Sequence, residues 1–266
     1  MLESSFEIDS FLDGNEITAL RKFYQRLPKT LNSGDEKKAY TTGFPWDDLP
    51  IKSVRNKIEN KFSHIKWEFI LSNQGILIQR KKVGSESIFA LKATGTLNTS
   101  IEQIISTFRE TKNAHKWAPD LRSRTLLKNI SEIEAVVYDI HKMPWPCQDR
   151  DLVIHNKIEL IKSRKQIALI STSIENYSKD PGSKGRVRAE LHYSFIGLTP
   201  ITKTKTKVEF FIHVDPKGSI PSWVINLIIK TRPLGFLKAI EKRANQVKPK
   251  LGPEITKMIK NLFTLI

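Results

Sequence analysis

The sequence predicts an α+β protein, a single antiparallel sheet of about nine strands with a long C-terminal helix laid over one face. Three observations lead there. Segments of alternating apolar and polar residues follow one another from Trp67 to Val214, separated by turn chemistry. Within each segment the apolar side chains fall on one face. A long helical pattern comes last, opening at Ser219 with Pro221 suited to a first turn. A meander with one apolar face needs a cover, and this helix supplies it.

Taken in order, residues 1–50 read as an N-terminal helical extension. Asn15 caps a helix whose Ile17, Leu20, Phe23, Tyr24 and Leu27 share a face, and Pro28 ends it. Residues 29–50 are loop, and a further helix is expected over about residues 51–62, opening the main domain of residues 51–247. Three strands follow at Trp67–Leu71, Gly75–Lys82 and Ser87–Leu97. A helix capped by Thr99 or Ser100 and a shorter one ending at Trp117 and Pro119 separate them from six more. Those lie at Arg122–Ile130, Ile133–Met143, Leu152–Ile161, Gln166–Glu175, Val187–Leu198 and Lys205–Val214.

Strand phase follows from alternation. Leu152, Ile154, Ile158 and Leu160 form one buried set, with Asn156 among them. Val187, Ala189, Leu191, Tyr193 and Phe195 form another, and Val208, Phe210, Ile212 and Val214 a third. The final helix is expected to run to about Val247 and to bend at Pro233 and Gly235. Residues 248–266 form a linker and an amphipathic helix whose apolar stripe includes Ile255, Met258, Ile259, Leu262 and Phe263. Docking on the domain is favoured over membrane insertion for that stripe.

The connection Met143-Pro-Trp-Pro-Cys-Gln-Asp-Arg-Asp151 is unusual. Its prolines remove backbone donors and bar a continuous ladder, so it links two strands. Pro144, Trp145 and Pro146 put stiff apolar bulk where polar residues and Gly are usual. We expect that bulk to be packed down as a cover over a hollow.

Composition narrows the function. The net charge is +16, with residues 1–50 at −3 and the remainder at +19. Such a surface favours phosphate, on lipid or nucleic acid, but no helix-turn-helix, RNA-recognition or zinc-finger spacing is present, so nucleic acid is not expected. No stretch is apolar enough to span a bilayer as a helix, and no signal peptide is evident, which points to a cytoplasmic protein, peripheral to membranes at most. Cys147 is the single cysteine, so no internal disulfide forms. The six histidines lack ligand spacing, and neither a metal nor a cofactor is expected.

The residues at the joints resemble those of the START (steroidogenic acute regulatory protein-related lipid transfer) domain family. The matching residues are Trp67…Gly75, Ala93-x-Gly95, Trp117-x-Pro119, Pro144-Trp-Pro-x-x-Asp-Arg-Asp151 and Lys205-Thr-Lys-Val…Asp215-x-Lys-Gly-x-Ile-Pro221, over about residues 58–247. The resemblance implies a helix-grip fold, a curved sheet around the last helix with a lipid-sized hollow between. It makes Met143–Asp149 the lid, together with the start of the last helix. Physics agrees with an apolar occupant: several hundred Å³ left empty would cost on the order of 10 kcal/mol, and each buried methylene returns about 0.8 kcal/mol.

The candidate ligand residues are then Val137, Asp139, His141, Ile154, Asn156, Leu191, Tyr193 and Phe210, with Met143, Trp145 and Arg150 in the lid. In sterol-binding relatives an inward Arg pairs with an inward acid; Asn156 and Val137 stand at those positions here, which argues against sterol. Asp139, His141 and Asn156 form a candidate polar patch for a headgroup. Arg150 and Asp151 read as an ion pair or turn lock, or as a gate. The expected function is binding, and transfer, of a lipid or other hydrophobic ligand, with anionic membranes as transient partners and no catalytic residues. A helix-grip enzyme of the polyketide cyclase or aromatase type, and a ligand-sensing adaptor, remain the alternatives.

Overall fold

The computed structural model describes residues 67–82 and 89–266. The expected extension over residues 1–50 and the helix near 51–62 lie outside the described residues. Nine strands form one antiparallel path. They are β1 (Glu68–Asn73), β2 (Ile76–Lys82), β3 (Phe89–Leu97), β4 (Leu121–Asn129), β5 (Glu134–His141), β6 (Arg150–Ile161), β7 (Gln166–Ser173), β9 (Glu190–Thr202) and β10 (Lys205–Asp215). The spatial order is β1-β2-β3-β10-β9-β7-β6-β5-β4, and the two-residue β8 (Val187–Arg188) pairs parallel with the start of β6. The described residues also form three α-helices: α1 (Ile101–Phe108), α2 (Ser222–Ala244) and α3 (Pro253–Phe263).

Local chemistry sets the joints. Gln74 and Gly75 both take positive φ between β1 and β2, the demand of a tight hairpin turn. Gly95 on β3 faces Ile76 of β2, and a Cβ there would lie 2.9 Å from the Gly75 carbonyl oxygen, so no larger residue fits. Ser100 caps α1 in a reciprocal box with Gln103, closing two N–H groups that a helix start leaves open. Pro233 sits inside α2, which runs unbroken to Ala244 and stops short of Val247.

The helices cover one face of the sheet, here called inner. Leu237, Ile240 and Ala244 of α2 and Ile255, Ile259 and Leu262 of α3 share a core with Ile78, Ala93, Ile158, Ile167, Ile196, Leu198, Val208 and Phe210. Leu237 and Ile240 are fully buried, each worth about 1.5–3 kcal/mol. An aromatic group ties the layers: Phe236 lies 5.0 Å from Phe210 and 6.2 Å from Trp117, ring centre to ring centre. The C-terminal tail packs on the domain through α3, as its apolar stripe requires.

One strand departs from its expected phase. In β9, Val214 of β10 faces Leu191 but His213 faces Tyr193, so His192 is the extra residue of a bulge. Ala189 and Leu191 therefore stay on the inner face, whereas Tyr193 and Phe195 turn outward and pack with Phe211. The inner face resumes at Ser194, Ile196 and Leu198, opposite Ile212, Phe210 and Val208. Tyr193 is thus corrected to the outer face, since a one-residue insertion reverses every side chain beyond it.

Candidate ligand site and lid

The inner face carries a second apolar cluster distinct from the helix-filled core. Val137 of β5, Leu152 and Ile154 of β6, and Ala189 and Leu191 gather there, with Ile212 and Val214 against them. Three of the expected ligand residues, Val137, Ile154 and Leu191, belong to it. Phe210 instead lies in the main core under Phe236.

Beside this cluster lies a buried charge pair. Asp139, 1% exposed, follows Val137 on the inner side of β5 and meets Arg124 of β4. Arg124 donates through Nε to Oδ1 (2.7 Å) and through Nη2 to Oδ2 (2.6 Å). The guanidinium carbon lies 5.0 Å from the centre of the Trp117 ring. Burial alone would raise the Asp139 carboxyl, but Arg124 outweighs it by charge and hydrogen bonds and holds the carboxyl at about 2. His141 stands on the same side, with Nε2 3.8 Å from Asp139 Oδ2.

Asn156 is also on the inner face, but apart from these. It pairs with Ala135, and its Oδ1 accepts from Ser171 Oγ at 2.7 Å. Ala135 lies four residues from Asp139 along β5, a distance of about 13 Å. The expected three-residue patch is therefore corrected to two separate spots, Arg124–Asp139–His141 and Asn156–Ser171. Alternation in the sequence does not reveal Arg124, because β4 carries two register shifts.

The lid is held by two arginines. Arg150, only 4% exposed, donates through Nε to Pro216 O (2.9 Å), Nη1 to Gln148 O (2.5 Å) and Nη2 to Lys217 O (2.8 Å). It locks the lid's end to the approach to α2, and it makes no pair with Asp151. Asp151 belongs to an outer network, accepting from Tyr138 Oη (2.8 Å) and Arg188 Nη2 (3.0 Å). At the other end of the lid, Arg232 of α2 donates to Lys142 O (2.7 Å) and pairs with Asp120 (2.9 Å).

Met143 is buried, as a lid residue should be, but Trp145 is not packed down: it is 85% exposed. The Trp145–Pro146 bond is cis. Trp223 and Leu227 on the first turns of α2 are also exposed. Between the lid and α2 lies a cavity of about 600 Å³, lined by residues 146–148, Arg150, Val187 and residues 218–221.

On the outer face, the β9 bulge assembles groups that sequence spacing did not reveal. Glu190, His192 and Asp215 bring one ligand-type atom each within 4.8 Å of the others. Lys217 Nζ stands between the two carboxylates, 2.9 Å from Glu190 and 2.6 Å from Asp215, supplying their countercharge. The hydrogen bond from His192, with Lys217 beside it, holds Glu190 at about 2 against its burial. The His213 ring lies 4.6 Å from that of His192, tilted by 38°, and His213 is pushed down to about 4, by burial first and by the His192 charge second.

The profile of the START domain matches residues 59–250. The chain belongs to the START domain family. Phosphatidylcholine transfer protein from Bos taurus is 26% identical over 184 residues, covering 68% of this chain and 85% of that protein. Ceramide transfer protein from Xenopus laevis is 20% identical over 209 residues, 72% of this chain but only 34% of the longer relative. Human StAR-related lipid transfer protein 5 superposes with a TM-score of 0.63 at 17% identity, over 73% of this chain and 94% of that one, a likeness of fold. The open antiparallel sheet and C-terminal helix are those of this START fold. Among the described residues no helix is long and apolar enough to cross a membrane.

Proposed function

We propose that this START domain holds one lipid between the inner face of its sheet and α2 and carries it between membranes, as a cytoplasmic, non-enzymatic carrier. The observation that carries the reading is the inner cluster of Val137, Leu152, Ile154, Ala189 and Leu191, separate from the core that the helices fill. An acyl chain laid on such a surface gains about 0.8 kcal/mol per buried methylene. The Arg124–Asp139–His141 spot is the polar pole for the headgroup. An acid held at about 2 stays ionised near neutrality, so Asp139 is suited to accept hydrogen bonds and unsuited to protonate a substrate. Phosphatidylcholine and ceramide, the cargoes named for the relatives, are the first lipids to try.

Membrane contact is assigned to the lid side. Trp145, Trp223 and Leu227 offer apolar side chains there, and residues 216–260 carry ten Lys or Arg against two acids. Each basic residue near an anionic surface adds about 1 kcal/mol. The test is transfer of fluorescent phosphatidylcholine and fluorescent ceramide from donor to acceptor vesicles. Protein-dependent transfer of at least one is expected; folded protein that moves neither would overturn the reading.

A further inference from the structure

The cavity beneath the lid has an electrostatic character that an apolar portal does not need. Its lining residues include no acid, and its one formal charge is the Arg150 guanidinium. That group is shut away from solvent, and its three acceptors are all backbone carbonyls. A buried charge is normally paired with an opposite one, and here no carboxylate stands against it among the described residues. Arginine carries five N–H donors; three are used, leaving two for a further acceptor. A Cβ at Gly218 would lie 3.7 Å from the same Nη2, so the glycine keeps that wall free of a side chain.

The opposite wall is the approach to α2. Pro221 occupies the cap position and no side chain caps the helix. Residues 218–221 line that side of the cavity, and the positive end of the α2 dipole lies just beyond them. Gln148 and Ser219 add neutral donors at the lining. A buried guanidinium, an uncapped helix start and a volume of about 600 Å³ together fit a group with several anionic oxygens. Arginine's planar fork matches phosphate in particular.

We propose that this cavity is a phosphate site, filled by the headgroup phosphate of an anionic phospholipid when the protein meets a bilayer. The inference builds on the membrane contact assigned above and names its chemistry. Trp145 on the lid and Trp223 on α2, both exposed, reach the bilayer as the phosphate enters. The guanidinium that binds it is the same one that fastens Gln148 O to Lys217 O. A phosphate taking the two spare N–H groups pulls the guanidinium towards itself and strains those carbonyl bonds, so an anionic surface loosens the lid where a neutral one does not.

The test uses the full chain and short-chain lipids that form no bilayer. Dihexanoyl phosphatidic acid is titrated calorimetrically, with dihexanoyl phosphatidylcholine and inorganic phosphate as comparisons. Saturable binding of the phosphatidic acid is expected, weakened about tenfold or more by Ser219→Glu, which adds a like charge to the cavity and leaves Arg150's bonds in place. Arg150→Gln is a second probe, read only if its circular dichroism and melting match the parent. Unchanged affinity in folded Ser219→Glu would overturn the site. Inorganic phosphate binding as tightly as phosphatidic acid would overturn the lipid source and leave a free-anion site. Mass spectrometry of carried lipid in the same Ser219→Glu protein separates the two readings. Retained cargo with lost phosphatidic acid binding supports this site alone, and parent protein that binds phosphatidic acid but carries no lipid contradicts only the carrier function.

Discussion

Arg124 and Asp139 face each other across β4 and β5 in a two-pronged pair, with both bonds at 2.7 Å or less and the carboxylate almost wholly buried. Removing one partner of such a pair leaves the other charge buried and uncompensated, at a cost of about 3–5 kcal/mol. Asp139→Asn should therefore lower the urea midpoint strongly, and the double change Arg124→Met with Asp139→Leu should recover much of it. The pair also sets an acid limit. The folded carboxyl titrates near 2, below its usual 3.8, so its contribution is full above about pH 4 and disappears as pH falls through 2. A double variant no more stable than Asp139→Asn would show that the charge is required there.

Leu191 and Tyr193 test the bulge. They are two residues apart on one strand, yet Leu191 joins the inner cluster and Tyr193 packs outside with Phe195 and Phe211. Leu191→Trp is expected to block lipid uptake while the protein stays folded, and Tyr193→Trp to leave uptake intact. Equal loss in both would mean that the two share the ligand side.

His213 gives a pH dependence of known sign. Its folded value near 4 lies below the ordinary 6.5, so the folded state disfavours its charged form. That stabilisation is complete above about pH 6.5 and falls away towards pH 4, amounting to as much as about 3 kcal/mol. Denaturation at pH 7 and pH 4.5 should show the loss, and His213→Gln should shrink it. A variant with the same pH slope as the parent would move the cause elsewhere, with Glu190 next in line.

Trp145 makes the membrane reading specific. At 85% exposure its removal should change stability by no more than about 0.5 kcal/mol. Trp145→Ala is expected to weaken vesicle binding several-fold with an unchanged melting temperature. Salt should weaken binding of the parent to anionic vesicles, because exposed charges are screened over about 8–10 Å. Binding that ignores both Trp145 and salt would place the membrane contact on another face.

The lid can be tested with its own cysteine. Cys147 lines the cavity on one wall and Ser219 on the other. Joining Cys147 to Ser219→Cys with a short bismaleimide should slow lipid transfer without releasing cargo. Undiminished transfer by fully crosslinked protein would show that exchange uses another opening.

Much of this architecture was legible because its strands keep strict alternation. Val137 and Asp139 on β5, and Ile154 and Asn156 on β6, fall on the inner face because no bulge interrupts their pairing. Tyr193 was misplaced for the opposite reason, since the bulge at His192 leaves no mark in an otherwise regular pattern of apolar residues. Arg124 was hidden by two shifts in β4, and so the partner of Asp139 could not be read. The stiffness of Pro144-Trp-Pro146 was readable, but stiffness does not say which way an indole points, and Trp145 faces out. Arg150 looked like the partner of Asp151, its neighbour in sequence. Adjacent strand residues point to opposite faces, and the two serve separate networks.

Whether the inner face carries a lipid is tested most directly by native mass spectrometry of the full chain after incubation with vesicles of mixed phosphatidylcholine and ceramide. A single added lipid mass per chain is expected, absent in folded Leu191→Trp. A parent protein that acquires no lipid mass, or a Leu191→Trp variant that acquires the same one, would contradict it.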